Sequence, residues 1–213
     1  MKKNDLSIFI RSYWDYYLEL EEQFKRTSRY VAFDSNNKNT YSVEYLKLFQ
    51  AVCSEIDVVA KEISTKLDSS FKVDRNTNIK KWGYILQNHL PSILTQEVVF
   101  NHEEIISPWK HWQYVQYRDK TGSLRYKLKE KTQTPKWWRA YNDVKHARTQ
   151  LTEDGSINYS KANLGNLISS FAALFILETE YMTSLSEQQQ PVDGIDGSLL
   201  FQYYYEVFDD LIY

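Results

Sequence analysis

Hydrophobic and polar positions alternate along this chain at two different periods. Leu6, Phe9 with Ile10, Tyr13, Tyr16 with Tyr17, Leu20 and Phe24 recur at steps of three and four with charges between them, which predicts a first long helix within residues 5 to 32. "FDSNNKNT" at 33 to 40 breaks it, and Thr40 or Ser42 is placed to cap the next helix. Leu46, Phe49, Cys53, Ile56, Val59 with Ala60, Ile63 and Leu67 carry that second long helix over Tyr45 to Leu67. "NIKKWGYILQNHL" predicts a short helix stopped before Pro91, and "EVVF" and "EIIS" are short β-prone runs that fit a small hairpin. Residues 107 to 133 hold a Pro, a Gly, many charges and several aromatics, and are expected to form a long irregular surface excursion. Thr134 and Pro135 predict the start of a third main helix reaching about Leu151. Ser160 is the expected cap of a fourth, with Leu164, Leu167 with Ile168, Phe171, Leu174 with Phe175 and Tyr181 on its face.

These elements predict an all-α fold, an antiparallel four-helix bundle over residues 1 to 185 with the irregular insertion between its second and third main helices. "SEQQQPVDGIDGS" at 186 to 198 reads as a linker. The aromatic and acidic tail at 199 to 213, expected as a further helix, is too apolar to stay in water. It should dock on the bundle, on a second subunit, or over the basic segment.

Charge sharpens this picture locally. The whole chain is nearly balanced, with 26 Lys and Arg against 28 Asp and Glu. From Tyr117 to Arg148, however, ten bases stand against three acids, an asymmetry that suggests an anionic partner. The single cysteine, Cys53, cannot form an intrachain disulfide and fits a reducing compartment. No stretch has the apolar length of a membrane span, and the first residues lack a signal-peptide core. The expected location is therefore the cytoplasm, with no membrane partner.

Candidate chemistry concentrates in "TPKWWRAYNDVKHAR", residues 134 to 148. With Arg139 set at zero on a helix, Asn142 falls at about 300°, Asp143 at about 40° and His146 at about 340°. Trp137, Ala140, Tyr141, Val144 and Ala147 take the opposite side as a core face. Four groups able to bind, orient or transfer protons thus share one stripe, although an amphipathic helix always has a polar side and the stripe equally fits a solvated face.

The Arg, six residues, then His of "RAYNDVKH", within "WWRAYNDVKHAR" and followed by "SKANLGNLISSFAALFIL", resembles the signature of the HEPN superfamily. The string is similar to a group of bacterial HEPN-like proteins of largely uncharacterised role. The resemblance covers about Pro135 to Leu185, extends plausibly to the first two helices and does not reach the tail. It implies a homodimer and a metal-independent endoribonuclease, with His146 in proton transfer and Arg139 stabilising the scissile phosphate. An imidazole titrates near neutral pH and a guanidinium can hold two phosphate oxygens. Asn142 would orient the imidazole or bind phosphate. The residue after the Arg is often polar in the better characterised nucleases, and here it is Ala140, so the same resemblance also leaves room for a protein that binds without cutting. A toxin or host-defence role rests on analogy alone.

In the excursion, Trp109, Trp112, Tyr114, Tyr117 and Tyr126 interleave with Arg118, Arg125, Lys127, Lys129 and Lys131, as single-stranded RNA binding requires. Trp109 and Trp112 are better explained as packing the excursion onto the bundle. Arg125, Lys127, Lys129 and Lys145 are the candidate substrate-binding cations. His102, Glu103, Glu104 and His111 share no single face and are expected at the surface, so no metal site is predicted, and no phosphate loop or other motif implies a cofactor. The alternative to a nuclease is a non-catalytic interaction or RNA-binding protein whose tail engages an antitoxin or other partner. A further alternative has the acidic tail covering the basic segment and holding activity off.

Overall fold

The structure, a computed structural model, describes residues 5–186 and 197–204. The predicted long helices form. α1 (Asp5–Phe9) runs through a π-helical turn, Ile10–Trp14, into α2 (Asp15–Thr27). α3 (Val43–Leu67) starts at Ser42, whose hydroxyl accepts the Tyr45 amide at 3.0 Å. α4 (Ile79–His89) is capped by Asn78 and ends ahead of Pro91. α5 (Lys136–Ala147) stops short of the expected Leu151 and follows Pro135 without a side-chain cap, so Thr134 does not play the role expected of it. α6 (Leu164–Ser186) is preceded by Asn163, whose side chain accepts the Asn166 amide at 3.0 Å. Asn163 thus takes the role expected of Ser160, which lies in a 3₁₀ turn, Asn158–Lys161.

The all-α four-helix bundle is not what forms. The fold is mixed α/β, with two antiparallel sheets set among the helices. β1 (Val98–Phe100) and β2 (Glu104–Ile106) make the small hairpin, and β5 (Phe201–Tyr203) pairs with the other edge of β1 to complete a three-stranded sheet. β3 (Tyr114–Arg118) and β4 (Leu124–Leu128) form a second hairpin inside the segment expected to be irregular. Periodicity misses it because the strands are short and largely exposed, so their apolar alternation is weak.

The described start of the tail is a strand instead of a helix. Phe201 and Tyr203 point into the core while Gln202 faces out, the alternation a half-buried strand needs. Fully buried Glu21 on α2 holds this segment: it accepts the Ser198 hydroxyl, the Leu199 amide at 2.7 Å, the Leu200 amide at 3.2 Å and the Tyr17 hydroxyl at 3.0 Å. Of the three docking places expected for the tail, residues 198 to 203 thus take the body of their own chain. Most of the expected linker, 187–196, and the rest of the tail, 205–213, lie outside the described residues.

α6 is apolar on nearly every side, with Leu164, Leu167, Ile168 and Phe171 to Leu177 all buried, which places it at the centre of the core. Two aromatic clusters surround it. Phe24, Phe100, Phe171, Phe175 and Phe201 tie α2, β1 and β5 to α6. Five tryptophans, Trp82, Trp109, Trp112, Trp137 and Trp138, join α4, the excursion and the start of α5. Gly83 allows that second cluster, since a Cβ there would meet the Trp112 ring at 2.5 Å. No described helix is long and apolar enough to cross a membrane.

Candidate functional site

The paired tryptophans of the "WWRAYNDVKHAR" stretch are anchors. Trp137 donates its indole N–H to the Pro108 carbonyl at 3.1 Å and packs on Trp109, while Trp138 packs on Trp82 and Tyr141. With Ala140, Tyr141 and Val144 they form the buried face of α5. The helical period then turns Arg139 and His146 into solvent and leaves Asn142 half-buried beside them. Among the described residues, no side chain or carbonyl hydrogen-bonds or pairs with the side chains of Arg139, Asn142 or His146.

Asp143, the fourth member of the stripe, differs: it pairs with Lys161 at 2.6 Å, which fastens α5 to the 3₁₀ turn before α6. Lys145 lies outside the stripe, its ammonium 5.2 Å from the centre of the Tyr141 ring. Arg139, Asn142 and His146 therefore remain together as one open polar face.

The hairpin cations form a separate set. Cross-strand pairing puts Tyr117 opposite Arg125 and Val115 opposite Lys127 on the outer face of β3–β4, with Lys127 5.5 Å from the centre of the Tyr117 ring. Tyr114 and Tyr126 face α4, where Tyr126 packs on Tyr84 and the Tyr114 amide donates to the Gln87 side chain at 2.8 Å. Trp109 and Trp112 are fully buried. Of the aromatics considered for base stacking, Tyr117 is the one most available, because the tryptophans are spent on the core.

Arg125 is held at 2.8 Å by Asp119, whose carboxyl is kept well below the usual range by the Thr121 hydroxyl first and Arg125 second. This pair is exposed, and such pairs exchange readily with water or a ligand. Lys129 is exposed at the end of β4. Beside the hairpin, an open cleft of about 810 Å³ is lined by Arg125, Tyr117 and Tyr126 together with residues 74 to 81. No residue of the α5 stripe lines it, so the two candidate sets do not share one pocket.

Arg75, Lys80 and Lys81 are cleft residues that the sequence does not single out. They sit in "VDRNTNIKK", where the one clue is a cluster of bases beside the helix cap Asn78. His102 and His111 both lie at left-handed backbone positions, with φ of 63° and 61°, and Glu104 pairs with Lys38. Among the described residues, no group of three or more His, Cys, Asp or Glu side chains is arranged to hold a metal ion. Compared with family models, curated proteins and solved structures, the chain matches none.

Proposed function

We propose that this protein acts on RNA as a metal-independent endoribonuclease, with Arg139 and His146 as its working pair and Asn142 in support. The observation that carries the reading is the open face of α5, where these three side chains stand together without polar partners among the described residues. The resemblance of the surrounding string to the HEPN superfamily supports it.

The chemistry needs one group to take the proton of a ribose 2′-hydroxyl and another to give a proton to the leaving 5′-oxygen. A neutral imidazole suits the first task and an imidazolium the second. As the 2′-oxygen attacks, its bond to phosphorus forms while the bond to the 5′-oxygen breaks, leaving a 2′,3′-cyclic phosphate and a 5′-hydroxyl. Arg139 would hold the phosphate oxygens as negative charge builds on them.

One α5 offers one histidine. A second copy, facing the first across a two-fold axis, would supply the other, and this is the argument for a homodimer as the working form.

The test is incubation of purified protein with labelled single-stranded and structured RNA in EDTA, beside Arg139→Ala and His146→Ala variants. Cleavage to cyclic-phosphate ends by the wild type, lost in both variants, is the expected result. Absence of cutting by the wild type, or equal cutting by all three proteins, would overturn the assignment.

A further inference from the structure

The cleft beside the β3–β4 hairpin has one wall formed by residues 74 to 81, the turn into α4 and its first residues, and another formed by the hairpin. Its volume, about 810 Å³, lies within the range of sites that enclose small ligands.

Arg75, Lys80, Lys81 and Arg125 are its cations and Asp74 its one acid. Asp74 is occupied by its own turn: it accepts the Asn76 amide at 2.8 Å, the Thr77 hydroxyl at 3.1 Å and the Lys81 ammonium at 3.1 Å. Lys81 is further held by the Lys72 carbonyl at 2.7 Å. The acid is therefore neutralised within the wall.

Arg75 and Lys80, by contrast, are exposed, and their side chains have no polar partner among the described residues. Lys80 stands in the first turn of α4, where the helix dipole adds to the positive potential. On the hairpin side of the cleft, Leu124 is 45% exposed and Tyr117 42% exposed, the Tyr117 ring carrying the Lys127 ammonium 5.5 Å from its centre. A cleft that holds two unpaired cations and also exposes ring and aliphatic surface suits a ligand that is an anion at one end and a flat, weakly polar ring at the other.

We infer that this cleft binds a nucleotide unit of a single strand, with Arg75 and Lys80 taking the phosphate and the Tyr117 wall receiving the base. That the strand is RNA rests on the function proposed above. The cleft would then hold a strand while the α5 face carries the chemistry, and the two can be broken independently.

The experiment is equilibrium binding of a short labelled single-stranded RNA with 2′-O-methyl groups, which attack by the 2′-oxygen cannot cut, to the full chain across a salt series, with a nucleoside monophosphate as competitor and the cleavage assay above run beside it on unmodified RNA. The proteins compared are wild type, the double variant Arg75→Ala with Lys80→Ala, Tyr117→Ala, and as a control Lys25→Ala, an exposed cation on α2 that does not line the cleft. Both cations are exposed and the Asp74–Lys81 pair is left intact, so the double variant should fold. Loss of two charge-assisted phosphate contacts should weaken binding roughly tenfold or more. The logarithmic salt slope should fall by about 1.4, or about 0.7 for each cation removed. Tyr117→Ala should weaken binding with little change of slope, and Lys25→Ala should bind as the wild type does.

Equal affinity of the double variant and the wild type, or no binding by the wild type, would overturn the assignment. So would a monophosphate that binds as tightly as the oligomer, since the cleft would then take free nucleotides. Binding that depends on Arg75 and Lys80 without any cleavage would uphold the cleft and sink the nuclease reading. Cleavage that survives in the double variant with unchanged affinity would do the reverse.

Discussion

Glu21 on α2 and Glu178 on α6 are the same side chain with the same fully buried exposure, in opposite circumstances. Four donors converge on Glu21: two backbone amides and the hydroxyls of Ser198 and Tyr17. Neither oxygen of Glu178 has a hydrogen-bond partner among the described residues. Burial pushes its carboxyl well above the usual range, and the negative field of Glu55 adds to this. The difference teaches that a buried carboxylate becomes a structural tie only where donors are brought to it. On Glu21 that tie attaches a distant segment to the helices; on Glu178 the same group is a cost the core carries.

Glu21→Ala is the hardest blow to this contrast. It would leave several buried donors without an acceptor, each worth about 1–3 kcal/mol, so a loss of about 3 kcal/mol or more is expected in denaturant unfolding. Amide exchange at Leu199 and Leu200 should accelerate with it. Unchanged exchange there would show that β5 is held by its apolar residues alone.

Glu178→Leu should move stability the other way. An apolar side chain of similar size removes two unpartnered oxygens and should stabilise by about 1–3 kcal/mol near pH 8. Destabilisation by that substitution would mean that the carboxyl is satisfied after all.

The pH dependence sharpens the same contrast. With its folded pKa raised, Glu178 retains a proton in the folded chain at pH values where the unfolded chain has released it. Its contribution is thus fully present below the ordinary carboxylate pKa and is lost as pH rises toward the folded value. The advantage of Glu178→Leu over wild type should therefore grow as pH rises above the ordinary carboxylate range, as read from unfolding midpoints at each pH. A constant difference would contradict the raised pKa.

The smallest effect is expected on the outer face of α5. Arg139→Ala and His146→Ala remove exposed groups without partners among the described residues, so each should change stability by less than about 0.5 kcal/mol. This near-neutrality lets any lost cleavage be read as lost chemistry.

The long helices and the orientation of α5 are legible along the chain because each rests on short-range order. Apolar positions at helical steps set which side of α5 is buried: Trp137, Ala140, Tyr141 and Val144 lie in the core as their spacing predicts, while Trp138 joins them and Ala147 stays half-buried only through the packing around α5. Trp109 and Trp112 already read better as packing residues than as stacking surfaces, and Trp82 and Trp137 lie against them in the core.

Local pattern decided the helices and the exposed stripe of α5, and left the cap of α3 between Thr40 and Ser42, of which Ser42 takes it. Tertiary structure alone decided the fold class, because a sheet joins residues far apart in sequence: β5 reaches β1 across about a hundred positions, and no periodicity within Phe201–Tyr203 names its partner. It also decided which charges are spent and which remain. Glu21 and Glu178 differ only in what approaches them. Asp143 is spent on Lys161 while its neighbours on the α5 stripe are left free among the described residues, and Arg75 and Lys80 share a cleft with Tyr117 only because α4 and the hairpin pack side by side. A side chain's chemistry is written in its own atoms, but its availability depends on partners that folding brings from elsewhere in the chain.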